Sequence, residues 1–460
     1  MAKNLKFNVF RPILAILLIF IPLYPKFPLF SVDNTYVSIR LDDIVVAISL
    51  FFLLINQLKY KFNLVKTPLA KLMIIYFLAL LISLLNAIFI LQTDYPNILI
   101  LHTLRKIQYM LLAFISIKAI NTKKDLKYPL IFMVLASIFV AIYGYGQKYF
   151  SFPIISTMNE EFSKGYLLTL TIWSRISSTF AGHYDLAAFL SVFLVVLAGG
   201  FILTKSKLSK TSLAIVWLIL FHLLTQTASR VSIFALWGGL IVLFTIIKKY
   251  LYILPASLLI IFSFFNSTEL NQRLLATINT LSPQFETSKP TQIPPAPTAI
   301  PTIIPTPVGK TEPPPVTTPK PTTVRHIQEP YPQVDVDAGV SRSGEIRFNV
   351  EWPRAITAFT KNPLIGTGPG SLGLATDNEF LRSLGETGLL GFFSLMIIPF
   401  YFFIKTFQSK NKLNYVFMAS ALTFLANALF IDVFSASKTA YLFWLMMGIY
   451  YQNLIINDKD

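Results

Sequence analysis

The chain contains no cysteine, which excludes disulfide scaffolds, thiolate metal sites and cysteine nucleophiles together. Charge is scarce as well. Of its 460 residues, 13% are Asp, Glu, Lys or Arg, against about 25% in an ordinary soluble domain. Only four histidines occur, His102, His183, His222 and His326, and none has metal-ligand spacing. The phosphate-loop pattern Gly-x-x-x-x-Gly-Lys-Ser/Thr is missing, which argues against an ATP-driven pump. The Gly-x-Ser-x-Gly nucleophile elbow is missing too.

What fills the chain is apolar sequence. Hydrophobic residues make up 54% and the mean hydropathy is +0.62. Apolar runs recur near the length of about 20 residues that spans a bilayer as a helix. The expected fold is therefore an all-α polytopic membrane protein with about twelve transmembrane helices. They are expected near 11–30, 42–57, 68–93, 98–117, 128–147, 184–204, 211–227, 230–247, 250–265, 388–405, 413–431 and 438–456. The first is read as a helix that stays in the membrane, because no small-residue cleavage site follows it.

The net charge of +17 could suggest nucleic acid, but topology accounts for it. With the N-terminus inside, each expected inner loop is basic: Lys59 and Lys61, then Lys123 and Lys124, then Lys205 to Lys210, Lys248 and Lys249, and Lys405 to Lys412. Lys and Arg accumulate on the cytoplasmic side of membrane proteins. Both termini are then expected in the cytoplasm, and the partner is the lipid bilayer, with no nucleic acid required.

This divides the chain into residues 1–265 with nine helices, an extracytoplasmic loop over 266–387, and residues 388–460 with three more helices. The loop itself has two parts. Residues 283–332 are rich in Pro and Thr and cannot repay the entropy of ordering, so they are expected to be a mobile insertion, spacer or glycosylated stalk. Residues 345–387 are expected to be the ordered, functional part. There Ile346, Val350, Ala355, Ile356 and Phe359 suggest an amphipathic helix on the membrane face, interrupted at Pro353.

The residues that could carry chemistry gather on the outer face. Arg230 stands where two apolar segments meet, and a charge so placed is either functional or snorkelling. Arg175 precedes the sixth span. Arg347 could serve a site or simply be solvated. Guanidinium groups bind phosphate oxygens in pairs, so arginines on one face suit a diphosphate. Gly366, Gly368 and Gly370 permit tight turns and expose amides; the alternative is a turn that re-enters the membrane face. Asp377 could act as a general base, with Glu379 as a weaker candidate. The competing reading has Asp377 capping a helix that begins near Asn378, with Glu379 in its first turn. Glu386 is read as structural or orienting.

In order, these segments are Ile142-Tyr143-Gly144 with Gln147-Lys148, Arg175-Ile-Ser-Ser-Thr-Phe180, Leu186-Ala-Ala-Phe-Leu190, Ser229-Arg230, Arg347 before Trp352, Asn362-Pro-Leu-Ile-Gly-Thr-Gly-Pro-Gly370, Asp377-Asn-Glu-Phe-Leu381 and Gly385-Glu-Thr-Gly-Leu-Leu-Gly391. The set resembles the O-antigen ligase and O-antigen polymerase superfamily of bacterial membrane glycosyltransferases, whose architecture is GT-C-like, from about the fifth span onward.

The resemblance implies an inverting, metal-independent enzyme without a soluble cofactor. Its donor would be a polyprenyl-diphosphate-linked glycan and its acceptor a glycan, lipid or protein, at the outer face of the cytoplasmic membrane. It makes Arg175, Arg230 and Arg347 diphosphate ligands, with Gly368 and Gly370 beside them. Asp377 becomes the catalytic base, Arg175 and Arg230 stabilise the leaving group, and Asn378, Glu379 and Glu386 support them. Ligases of the family typically have His where this chain has Asp377. Aspartate, with an ordinary pKa of about 3.9, is the weaker base unless burial raises it. That substitution shifts weight toward polymerase-like transfer. A protein O-oligosaccharyltransferase of the same fold is the alternative among enzymes. A lipid-linked glycan flippase is disfavoured, since the chain shows no internal repeat.

Overall fold

A computed structural model describes residues 8–25, 27–31, 38–154, 168–170, 174–266, 346–373, 375–409 and 411–457. The Pro/Thr-rich stretch 283–332 lies outside the described residues.

The described chain is helical apart from two short antiparallel ribbons. Helices α1 (Phe10–Leu23), α2 (Leu41–Lys59), α3 (Pro68–Leu85), α4 (Pro96–Ala119) and α5 (Lys127–Tyr149) come first. They are followed by α6 (His183–Leu203), α7 (Lys207–Gln226), α8 (Arg230–Ile246) and α9 (Ile253–Asn266). A short α10 (Trp352–Lys361) precedes α11 (Glu379–Ser409), α12 (Lys412–Asn427) and α13 (Ser437–Asn457). Strands β1 (Pro28–Ser31) and β2 (Ser38–Arg40) form one ribbon; β3 (Pro153–Ile154) and β4 (Leu168–Thr169) form the other.

Among the described residues, seven helical segments are long and apolar enough to cross a membrane, and three more are apolar but shorter. The protein is thus an all-α, multi-pass membrane protein. Helices satisfy the backbone within themselves, which the hydrocarbon demands. The first apolar run is shorter as a helix than expected: α1 stops at Leu23 because Tyr24, before Pro25, is extended, and the remaining apolar residues enter the first ribbon. Helix starts follow local chemistry. The Thr67 side chain accepts from the Ala70 amide ahead of Pro68, and Ser206 and Asn411 cap α7 and α12 in the same way. Pro353 lies where a π-helical turn, Arg347–Glu351, passes into α10, so the regular α-helical path is interrupted there as expected.

Helix α6 is the most enclosed of these seven segments. Successive helices reverse direction, and long-range hydrogen bonds identify the two ends of the bundle. At one end Lys438 Nζ donates to the Pro22 and Thr179 carbonyls at 3.0 and 2.7 Å, and Ser83 Oγ donates to the Glu386 carbonyl at 2.7 Å. At the other, Asn8 donates to the Lys118 carbonyl at 2.7 Å and Arg11 pairs with Asp125 at 2.8 Å. The lysine-rich loops lie at this second end. Arg175, Arg230, Asp377 and Glu379 all lie at the first.

Candidate functional site

The floor of the first end is the segment 362–373, folded down against α3 and α4. It joins α11 as a strand would. Thr367 and Gly368 amides donate to the Gly385 and Glu386 carbonyls at 3.0 and 2.8 Å, and Leu389 and Leu390 amides to Pro363 and Leu364 at 2.9 and 3.0 Å. The pairing is possible because Gly388 breaks the helical path of α11 with φ 63° and ψ −168°, freeing the two following amides. A Cβ on Gly388 would lie 2.4 Å from the Leu364 carbonyl carbon, and one on Gly366 would lie 2.4 Å from the Glu386 backbone. Both glycines are required by close backbone approach as well as by positive φ.

Asn86, just after α3, donates to the Gly366 carbonyl at 3.1 Å. Gly368 is buried against Ala87 and Leu99, and Gly370 against the His102 ring. The glycine segment is thus a re-entrant turn packed on membrane helices, and the Gly368 amide is occupied within it.

Beneath this turn runs a chain of buried charge. Lys106 Nζ of α4 meets Glu386 Oε2 at 2.7 Å. Glu386 Oε1 accepts from Arg382 at 3.1 Å, and Arg382 reaches Asp432 Oδ2 at 2.9 Å. The Glu386 and Arg382 side chains are 0% and 2% exposed, so each charge there needs its partner. Arg382 also donates to the Gly373 carbonyl at 3.1 Å. The network ties α4, α11, the glycine turn and the α12–α13 turn into one support, with Glu386 at its centre.

On that support sits Asp377, in the left-handed region with φ 50°. It does not cap α11. That role belongs to Asn378, whose Oδ1 accepts from the Leu381 amide at 3.0 Å, so the capping expectation for Asp377 is corrected. Its Oδ2 instead receives Arg347 Nε at 2.8 Å and the terminal guanidinium nitrogen at 2.8 Å. Burial pushes the Asp377 carboxyl above its ordinary value, against the opposing pull of the Arg347 guanidinium. The Glu351 carboxyl is raised as well, by burial and then by the nearby Asp377 and Asp432 charges. Glu379, the second base candidate, is 2% exposed. It accepts from the Phe434 amide at 3.1 Å and from Ser435 Oγ at 3.4 Å.

The arginines approach from the other side. Arg347 lies 5.6 Å from the centre of the Tyr184 ring, within cation–π range. Tyr184 packs on His183 with ring centres 4.0 Å apart, and Arg175 contacts His183 Nε2 at 2.6 Å. Arginine can only donate, so Nε2 accepts. The first two residues of α6 therefore join Arg175 to Arg347 and, through it, to Asp377. The Arg175 loop is itself clamped. Gln147, fully buried on α5, accepts from the Ser178 amide at 2.7 Å and donates to its carbonyl at 2.9 Å. Lys438 sits 4.7 Å from the Phe180 ring.

Arg230 opens α8 at the same end and is half-buried. Its neighbours Ser229 and Ser232 start a polar chain through Asn427 to Ser191, at 3.0, 2.7 and 3.0 Å, that locks α8, α12 and α6 together. Contacts thus join Arg175, Arg347 and Asp377, place Arg230 on a neighbouring helix start, and give Asn378, Glu379 and Glu386 scaffold positions.

Lys106, Tyr184, Arg382 and Asp432 were not singled out in the sequence. Lys106 is a charge inside an apolar run, and Arg382 precedes Glu386 at helical i,i+4 spacing; both signals were readable. Asp432 has no such local pattern. A scan of protein-family models and a search of curated proteins match nothing to this chain.

Proposed function

We propose that this protein is a membrane glycosyltransferase of the O-antigen ligase and polymerase type, polymerase-like in its acceptor. It takes a glycan carried on polyprenyl diphosphate at the outer face of the cytoplasmic membrane. In this reading twelve helices, α1 to α9 and α11 to α13, cross the bilayer in a GT-C-like arrangement. The lysine-rich end and both termini are cytoplasmic, in keeping with the enrichment of Lys and Arg there.

The observation that carries the reading is the meeting of Arg175, Arg347 and Asp377 around His183 and Tyr184, at one end of an apolar bundle. Arg175, Arg230 and Arg347 hold the diphosphate and stabilise its charge as it leaves. Asp377 accepts the proton of the acceptor hydroxyl. The hydroxyl oxygen bonds to the anomeric carbon as the bond from that carbon to the diphosphate breaks, with inversion. Burial of Asp377 supports its use as a base where the family has histidine. Incoming phosphate oxygens compete with Asp377 for Arg347 and release the carboxylate for the reaction.

The test is glycan transfer in membranes lacking the native chain and supplied with Arg175→Ala or Arg230→Ala. Each is expected to lose at least a hundredfold, the size of losing one strong transition-state donor, about 10²–10³, at unchanged protein level. Full transfer by both variants would sink the diphosphate role.

A further inference from the structure

We propose that Asp432, in the turn between α12 and α13, is the positioning residue of the site: it fixes the 376–378 turn and thereby aims the Asp377 carboxylate at Arg347. The proposal rests on the reading of Asp377 as the base.

The need for such a residue is local. With φ 50° Asp377 sits in the left-handed region, which non-glycine residues adopt singly and only where the surroundings hold them. The Asn378 cap satisfies only the Leu381 amide. The amides of Thr376, Asp377 and Asn378 precede the helix and need acceptors from elsewhere. Asp432 supplies all three. Its Oδ2 accepts from Thr376 at 2.7 Å and Asp377 at 3.2 Å, and its Oδ1 from Asn378 at 3.3 Å. Arg382 closes the carboxylate from below at 2.9 Å.

A second carboxylate crosses the other way. Glu379, the first residue of α11, accepts from Phe434 and Ser435 in the Asp432 turn, while its own amide donates to the Ala428 carbonyl at 2.9 Å. The two turns are therefore stitched reciprocally, and neither moves without breaking charge-assisted hydrogen bonds of the stronger kind. Because Asp432 takes over the amides, the Asp377 side chain is spared from capping and reaches Arg347. Asp432 holds the three amides and the Arg382 guanidinium and reaches no reacting atom in this reading, so it is a positioning residue rather than a catalytic one.

Asp432→Asn is the sharp variant. It preserves size but turns one acceptor oxygen into an NH2 facing N–H donors. Two measurements on the full-length protein in its membrane decide the matter. The first is hydrogen–deuterium exchange of the amides 376–378, expected to be at least tenfold faster in D432N. The second is the initial rate of transfer in vesicles carrying the endogenous lipid-linked glycan. D432N is expected to cost tenfold or more in the native background and less than twofold further in a D377N background.

Unchanged exchange overturns the proposal, and so does an equal loss in both backgrounds, which marks a merely structural residue. If D432N fails to accumulate, the double variant D432N/R382Q removes the buried pair together and is read in the same two ways. Full transfer by D377N sinks the base reading itself, whereas unaltered exchange with D377N inactive sinks the positioning role alone.

Discussion

The two ends of this bundle use charge in opposite ways. At the lysine-rich end the side chains of Lys59, Lys61, Lys123 and Lys124 are exposed. Water screens such charges, and they mark direction more than they build structure. At the other end Lys106, Glu386 and Arg382 are almost wholly withdrawn from water and each is met by a partner. A buried charge deprived of its partner is expensive. The lysine end should therefore tolerate change that the site end does not.

The largest expected effect is at the centre of the buried network. Glu386→Ala leaves Lys106 and Arg382 without their shared carboxylate. It is expected to destabilise by about 3–5 kcal/mol, the cost of breaking a buried pair from one side, read as thermal unfolding in detergent. Unchanged melting would break the comparison between the ends. Next, Asp377→Asn should lower glycan transfer at least about a hundredfold, given 10²–10⁴ for a positioned proton acceptor, with little change in melting. A loss of melting temperature matching that of Glu386→Ala would move Asp377 from the chemistry to the scaffold.

A third effect is a shift rather than a loss. A base works deprotonated, so transfer should fall as pH drops through the folded pKa of Asp377. Burial raises that pKa above its ordinary value, while Arg347 pulls it down. Arg347→Gln removes the pull, so the acidic limb of the rate profile should move to higher pH, alongside weaker donor binding. A limb that stays in place or moves to lower pH would take Asp377 out of the role of base. The smallest effect belongs to the far end: Lys124→Ala should leave both melting and transfer unchanged. A measurable loss of transfer there would show that the two ends are coupled.

Much of the fold was legible because lipid imposes a simple rule. Runs such as Leu69 to Leu85 or Leu186 to Leu203 have no stable state but a helix in hydrocarbon, and their recurrence announced the bundle. Helix ends were less legible, because capping and proline geometry decide them, as at Tyr24. In the site, Arg175 and Arg230 are legible as charges beside apolar segments, and Arg347 and Asp377 as charges flanking the glycine-rich segment in the polar excursion. Their partners did not. His183 and Tyr184 read as an ordinary helix start, and Asp432 as a polar residue in a short turn.

By itself, then, the sequence determined an all-α membrane protein, the placement of its basic loops, and a set of charged residues in a polar excursion. These follow from composition and periodicity, which act over a few turns of chain. Only tertiary structure decided that Asn378 rather than Asp377 caps α11, that the glycines serve close packing, and that Asp432 holds the Asp377 turn. Those outcomes depend on hydrogen bonds between residues 55 and 54 positions apart in the chain, and on which buried charge finds which partner. No local pattern encodes such distances.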